Sequence, residues 1–175
     1  MLYAGIDPGA SGAVAIVDRE DRLVGVFDAP TVTTSTVSGG TRTRLDVAEA
    51  ANLLRRWPGI VSVGLERVGA MPGQGVTSMF SFGEGFGMWQ GVLGALGLPY
   101  ELFLPLTWQK TQLGTRSARG KDAAYAIASR LYPDAQLRGP RGGILDGRAD
   151  AILIARHARL VSGGHGATAP RIPLR

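Results

Sequence analysis

The chain opens MLYAGIDPGASGAVAIVD over residues 1–18, and the eight residues GIDPGASG at 5–12 decide how the rest is read. Apolar residues precede and follow them, from Leu2 to Ile6 and from Ala13 to Val17. Two short apolar runs joined by a proline- and glycine-containing turn read as a pair of strands. Asp7 is the single acid between them, placed where the first strand ends. An acid at a strand end is either an ordinary turn residue or the first ligand of an ion, and the rest of the chain has to separate the two.

Working outward, Leu23–Phe27 adds a third strand after the turn DREDR, which makes an antiparallel meander. The polar stretch APTVTTSTVSGGTRTR, residues 29–44, reads as a mobile loop. LDVAEAANLLRRW follows with apolar residues at helical spacing, Asp46 and Glu49 at capping-box spacing, and Pro58-Gly59 as its stop. GIVSVGLE is a strand ending at Glu66. TSMFSFGEGFGMWQGVLGALG, residues 77–97, reads as a helix despite its glycines, and Gly83, Gly87, Gly91 and Gly94 form one stripe of small residues along it. PYELFLP is a short strand, KDAAYAIASRLYP a helix, and LDGRADAILIARHARL a final helix with an apolar face. The order β-β-β-α-β-α-β-α-α implies an α/β domain over residues 1–160, built on a mixed sheet flanked by helices, with residues 161–175 as a disordered tail.

The 175 residues suffice for one core, and the hydrophobic content of 45% is that of a globular protein. No run approaches the ~20 apolar residues of a membrane span, and no secretory leader pattern opens the chain, so a cytoplasmic protein is expected. Cysteine is absent, which removes disulfides and thiolate metal sites. The net charge is +5, carried by arginines apart from Lys110 and Lys121. Guanidinium forks suit phosphate, so a polyanionic partner is one reading of this balance; a GC-rich coding bias is the other.

Four carboxylates fall at the ends of apolar elements: Asp7, Glu66, and the pair Asp146 and Asp150 at the head of the last helix. Taken singly each has an ordinary explanation, such as the preference of helix N-termini for acids. Taken together they can converge if their strands are neighbours. A cluster of oxygen donors without cysteine or paired histidine suits a hard ion such as Mg²⁺ or Mn²⁺, and in a basic chain that combination points to phosphodiester cleavage.

GIDPGASGAVAIV, VGLERV and GRADAILIARHA resemble, in order and spacing, the three catalytic motifs of RuvC-type Holliday junction resolvases of the RNase H-like superfamily. MPGQGVTSMFSFG is most similar to phage-borne members. The resemblance implies an RNase H-like fold and a homodimeric endonuclease that resolves four-way DNA junctions by paired nicks, leaving 5′-phosphate and 3′-hydroxyl ends. It implies two Mg²⁺ ions, with Mn²⁺ able to substitute, held by Asp7, Glu66, Asp146 and Asp150. Asp146 departs from the pattern, since the usual fourth acid lies three residues before the last, where this chain has Gly147. By the same resemblance Lys110, Lys121 and Ser11 face DNA, and Met71 stands where relatives carry an aromatic wedge. The glycine-striped helix, Ser78–Leu96, is the candidate dimer surface, with Phe82, Phe86 and Trp89 around it; packing on the chain's own sheet is the alternative. Trp108 and Trp89 read as core, and His157 as a surface or packing residue. Rival readings are a ribonuclease H acting on RNA–DNA hybrids, a non-catalytic branched-DNA-binding protein, and an actin-like kinase, which shares the glycine turn but needs a second, duplicated half.

Overall fold

Both faces of the first strand are apolar, so it has to lie in the middle of a sheet with helices on either side. The computed structural model, which describes residues 1–36, 39–69, 73, 75–113 and 121–164, has that arrangement. Strands β1 (Leu2–Asp7), β2 (Ala13–Asp18) and β3 (Leu23–Asp28) form the antiparallel meander. A hairpin of β4 (Thr31–Ser35) and β5 (Thr41–Leu45) follows, then α1 (Val47–Arg55), β6 (Ile60–Glu66), α2 (Val76–Ala95) and β7 (Tyr100–Phe103). Helices α3 (Pro105–Leu113), α4 (Lys121–Leu131) and α5 (Asp146–Gly164) complete the described chain. The main sheet runs β3-β2-β1-β6-β7, with β6 parallel to both β1 and β7.

Alternation along β1 and β2 divides the core. Tyr3, Ala13, Ala15 and Val17 point to the side covered by α5, α4 and Trp108 of α3. Ala4, Ile6, Val14 and Ile16 point to the side covered by Leu53 and Leu54 of α1 and by Trp89, Val92 and Leu93 of α2. Trp89 and Trp108 are both fully buried, as read from the sequence.

Three readings need correction. The stretch expected to be a mobile loop is the β4–β5 hairpin, with Thr31 opposite Leu45 and Ser35 opposite Thr41; its run of threonines carries β-propensity that outweighs its polarity. Helix α3 was not expected: Pro105, read as the end of the strand PYELFLP, starts it, at a position where a proline costs no intrahelical bond. The last helix runs to Gly164 and so crosses the expected domain boundary at 160, while residues 165–175 lie outside the described residues. At α1 the capping box is half made. Asp46 accepts the Glu49 amide at 3.0 Å, but the Glu49 carboxylate turns to Arg56 at 2.6 Å.

The glycine stripe of α2 packs on nothing among the described residues. Gly83, Gly87, Gly91 and Gly94 are exposed, and a Cβ added at any of them meets no atom within 4 Å. Packing of the stripe on the chain's own sheet is thereby excluded. Trp89 does not flank an exposed interface either, since it lies on the opposite face of α2 inside the core.

Candidate active site

Parallel pairing of β1 with β6 sets Ile6 opposite Leu65, so the next residue of each strand, Asp7 and Glu66, ends the sheet on the same edge. The turn after Asp7 is closed from within. Its Oδ1 accepts the Gly9 amide at 3.0 Å, and the Gly12 amide donates to the Gly9 carbonyl at 2.9 Å. A Cβ on Gly12 would collide with the Asp7 carbonyl, so this glycine is demanded by the turn itself.

Helix α5 brings the other two acids to the same edge by lying unusually close to β1. Gly147, Ala151 and Ala155 share one helix face by their spacing of four. A Cβ on Gly5 of β1 would strike the backbone of Ala151 and Ala155. A Cβ on Gly147 would strike the Ser11 carbonyl and come 3.1 Å from Asp7 Oδ2. Position 147 is filled by the first turn of the chain and admits no side chain; the helix carries acids on either side of it, at Asp146 and, one turn further along, at Asp150. Arg148, between them, is drawn aside. Its guanidinium grips Asp28 at the end of β3 with two bonds of 2.6 and 2.9 Å and holds that carboxyl below its usual range.

The Glu66 carboxyl lies well above its usual range. Burial pushes it up to about 7, and the negative charge of Asp7 adds to the rise; a hydrogen bond from the Trp108 indole opposes it. That bond, Trp108 Nε1 to Glu66 Oε1, is 2.8 Å long. Neither Trp108 nor Asp28 was singled out from the sequence as part of the site. Trp108 read as core, which it also is, and nothing in the local pattern of α3 announces that its N–H points to a carboxylate 42 residues earlier.

Among the described residues no three carboxylate, imidazole or thiol side chains stand close enough to hold an ion as they are. The donor chemistry nonetheless fits a hard divalent cation: the acids of the edge offer oxygen alone, the chain has no cysteine, and His157 is buried against the Phe103 ring at 4.6 Å. Mutual repulsion that raises Glu66 is also what a cation between the two strand-end acids would relieve.

Of the expected DNA-facing residues, Ser11 is exposed in the turn beside Gly147, and Lys110 is exposed on α3. Lys121 opens α4, and Met71 lies outside the described residues. Many arginines are already engaged. Arg42 and Arg44 of the hairpin both pair with Glu84 of α2, at 2.7 and 2.6 Å, and Arg156 and Arg159 pair with Asp21, at 2.9 and 3.1 Å. Beside the Asp7 turn, between Pro8–Ala10, the hairpin and α2, lies a cleft of about 380 Å³ lined in part by Thr43, Arg44, Phe82 and Glu84.

The five-stranded mixed sheet and its flanking helices have the mixed α/β fold of RuvC. RuvC of Thermus thermophilus, solved in complex with a Holliday junction substrate, superimposes with a TM-score of 0.61 at 18% identity, over 94% of this chain and 96% of that one. A second structure of Thermus thermophilus RuvC gives 0.54 at 17% identity, over 94% and 97%. In sequence, the chloroplastic Holliday junction resolvase MOC1 of Chlamydomonas reinhardtii is 38% identical over 90 residues, half of this chain. The matched region spans about 10% of that protein's length. No family model matches the sequence.

Proposed function

We propose that this chain is a metal-dependent, structure-selective endonuclease that resolves four-way or branched DNA junctions by paired nicks leaving 5′-phosphate and 3′-hydroxyl ends. The observation that carries the reading is the single sheet edge holding Asp7 and Glu66 side by side, with Asp146 and Asp150 delivered by a helix pressed against the same turn. The resolvase likenesses support it. Asp7, Glu66, Asp146 and Asp150 would hold the cation, Mg²⁺ with Mn²⁺ as a substitute. A divalent cation bound there supplies Lewis acidity toward a phosphodiester and a water of lowered pKa. The chain's own part is to fix the four carboxylates on rigid elements, to keep Glu66 half dry, and to draw Arg148 away to Asp28. On this reading the protein works beside DNA, in a bacterial cytoplasm or a phage-infected host; among the described residues no helix is long and apolar enough to cross a membrane.

A panel of four-way junction, flap, RNA–DNA hybrid and linear duplex, each with Mg²⁺, tests the proposal. Paired nicks in the junction alone are the expected result. Selective cleavage of the hybrid, or junction binding without cleavage in either Mg²⁺ or Mn²⁺, replaces it with one of the rival readings.

Cutting opposite strands of one junction needs two such sites, so a homodimer belongs to the same proposal. The exposed glycine stripe of α2 is the surface on which a second copy can approach helix to helix. Gly87→Leu is expected to leave the monomer folded, because its Cβ meets open space, and to shift sedimentation from dimer to monomer at micromolar concentration. A wild-type monomer with and without junction would remove the dimer.

Binding led by phosphate contacts should weaken with salt, log K falling by about 0.9 per contact for each unit of log salt. Lys110→Ala and Lys121→Ala are each expected to flatten that slope by about one, as read by titrating labelled junction across a salt series.

A further inference from the structure

The indole of Trp108 is fully buried, and its ring nitrogen is a donor that can never accept. Its bond to Glu66 Oε1 therefore has only one direction, and the oxygen receives a proton it does not own. The structure assigns Trp108 as the positioning residue of Glu66: the indole N–H pins one oxygen of the carboxylate and turns the other, Oε2, toward the Asp7 side of the sheet edge. This rests on the reading of Glu66 as a cation ligand.

Three features of the bond suit that task. First, the parts that make it are rigid. Glu66 is the last residue of β6, paired with Phe103 of β7, and the Arg67 amide closes the pair by donating to the Phe103 carbonyl at 2.8 Å. Trp108 sits five residues past Phe103 in α3, whose first turn is tied to Leu104 by the Thr107 amide at 2.9 Å. The donor thus approaches from the neighbouring strand's own continuation. Second, an indole carries no charge. A lysine or arginine at the same place would orient the carboxylate equally well, yet would neutralise it and compete with a divalent cation. A neutral N–H fixes direction and leaves the full negative charge for the ion. Third, the chain does not pair every buried indole. Trp57 Nε1 is buried with no partner among the described residues, so the pairing of Trp108 is not forced by burial alone.

Groups that orient a ligating carboxylate from behind typically change metal affinity or activity by ~10–100-fold when lost. The cleanest removal is 3-benzothienylalanine placed at position 108 alone, which exchanges the N–H for sulfur at nearly constant volume. 4-Fluorotryptophan at the same position keeps the N–H and serves as the rescue. Mn²⁺ binding to the free protein by calorimetry, junction binding in EDTA, and kcat with KM for junction cleavage are read on all three proteins, with the melting temperature as the check on folding. The benzothienyl protein is expected to melt near the wild type and bind junction normally in EDTA, while its Mn²⁺ affinity and kcat each fall at least tenfold and KM stays put; the fluorotryptophan protein should match the wild type. Trp108→Phe should show the same split with an added loss of thermal stability from the cavity. A benzothienyl protein within twofold of the wild type in Mn²⁺ affinity and kcat overturns the assignment of Trp108 while leaving the nuclease reading intact. A wild-type protein that neither binds Mn²⁺ nor cleaves junction overturns both.

Discussion

Asp7→Asn is expected to reduce junction cleavage at least a thousandfold, the equivalent of about 4 kcal/mol of transition-state stabilisation, while junction binding in EDTA stays within a few-fold of the wild type. The change removes one negative charge and almost no volume. Asparagine keeps a side-chain oxygen, so the bond from the Gly9 amide at 3.0 Å, and with it the turn, survives. The melting temperature should not drop. Glu66 is held up to about 7 by burial and by the charge of Asp7, and a carboxyl raised in this way costs the folded state stability as pH climbs from its ordinary value towards 7. With Asp7 neutral that cost shrinks, so the variant should gain slightly on the wild type at pH 8 and not at pH 4. Cleavage by Asp7→Asn within tenfold of the wild type would remove Asp7 from the site. Asp146→Asn should be the mildest change among the four acids.

Gly5→Ala is expected to destabilise the fold by about 3 kcal/mol or more, at the upper end of overpacking effects, lowering the melting temperature by roughly 6–12 °C for a domain of this size. A methyl group at position 5 points into the backbone of Ala151 and Ala155, and neither atom it meets can rotate away. The helix has to rise off β1. Since α5 also carries Asp146 and Asp150, cleavage should suffer more than the lost stability explains, even at temperatures where the variant is folded. Gly163→Ala, at the open far end of the same helix, meets nothing within 4 Å and should be near neutral. Calorimetry of the two variants beside the wild type checks both, and equal melting temperatures for Gly5→Ala and wild type would show that the helix does not rest on Gly5.

The meander, the strand ending at Glu66 and the acid-headed last helix were legible because each couples a hydrophobic period to a turn signal within a dozen residues. Asp7, Glu66 and Asp150 stood out for the same reason, each an acid at the edge of an apolar run. The hairpin was missed because Thr31–Leu45 has no apolar side to alternate; it folds onto α2 through Arg42, Arg44 and Glu84, partners far apart in the chain. The meaning of the glycines was only half legible. Their spacing on α2 suggested close packing, yet the glycines pressed against backbone are Gly5, Gly12 and Gly147, two from GIDPGASG and one from GRADAILIARHA, motifs that meet only in the fold. Trp108 and Arg148 escaped for a related reason, since a residue's type reveals that it needs a partner but not which one it finds.

The sheet order also has a consequence for when the four carboxylates proposed as the site reach the same sheet edge. Asp7 is placed by a local hairpin, opposite Ala13, which a nascent chain can close early. Glu66 joins only after the crossover through α1 has laid β6 beside β1, and the α5 acids arrive last, from the far end of the described chain. Contacts across such separations form late because the chain between them must first be ordered. On the proposed reading, a partly folded chain whose last helix has not docked lacks two of the four acids. A chain emerging from the ribosome beside the very polymer it is proposed to cut stays chemically silent until its last helix has docked.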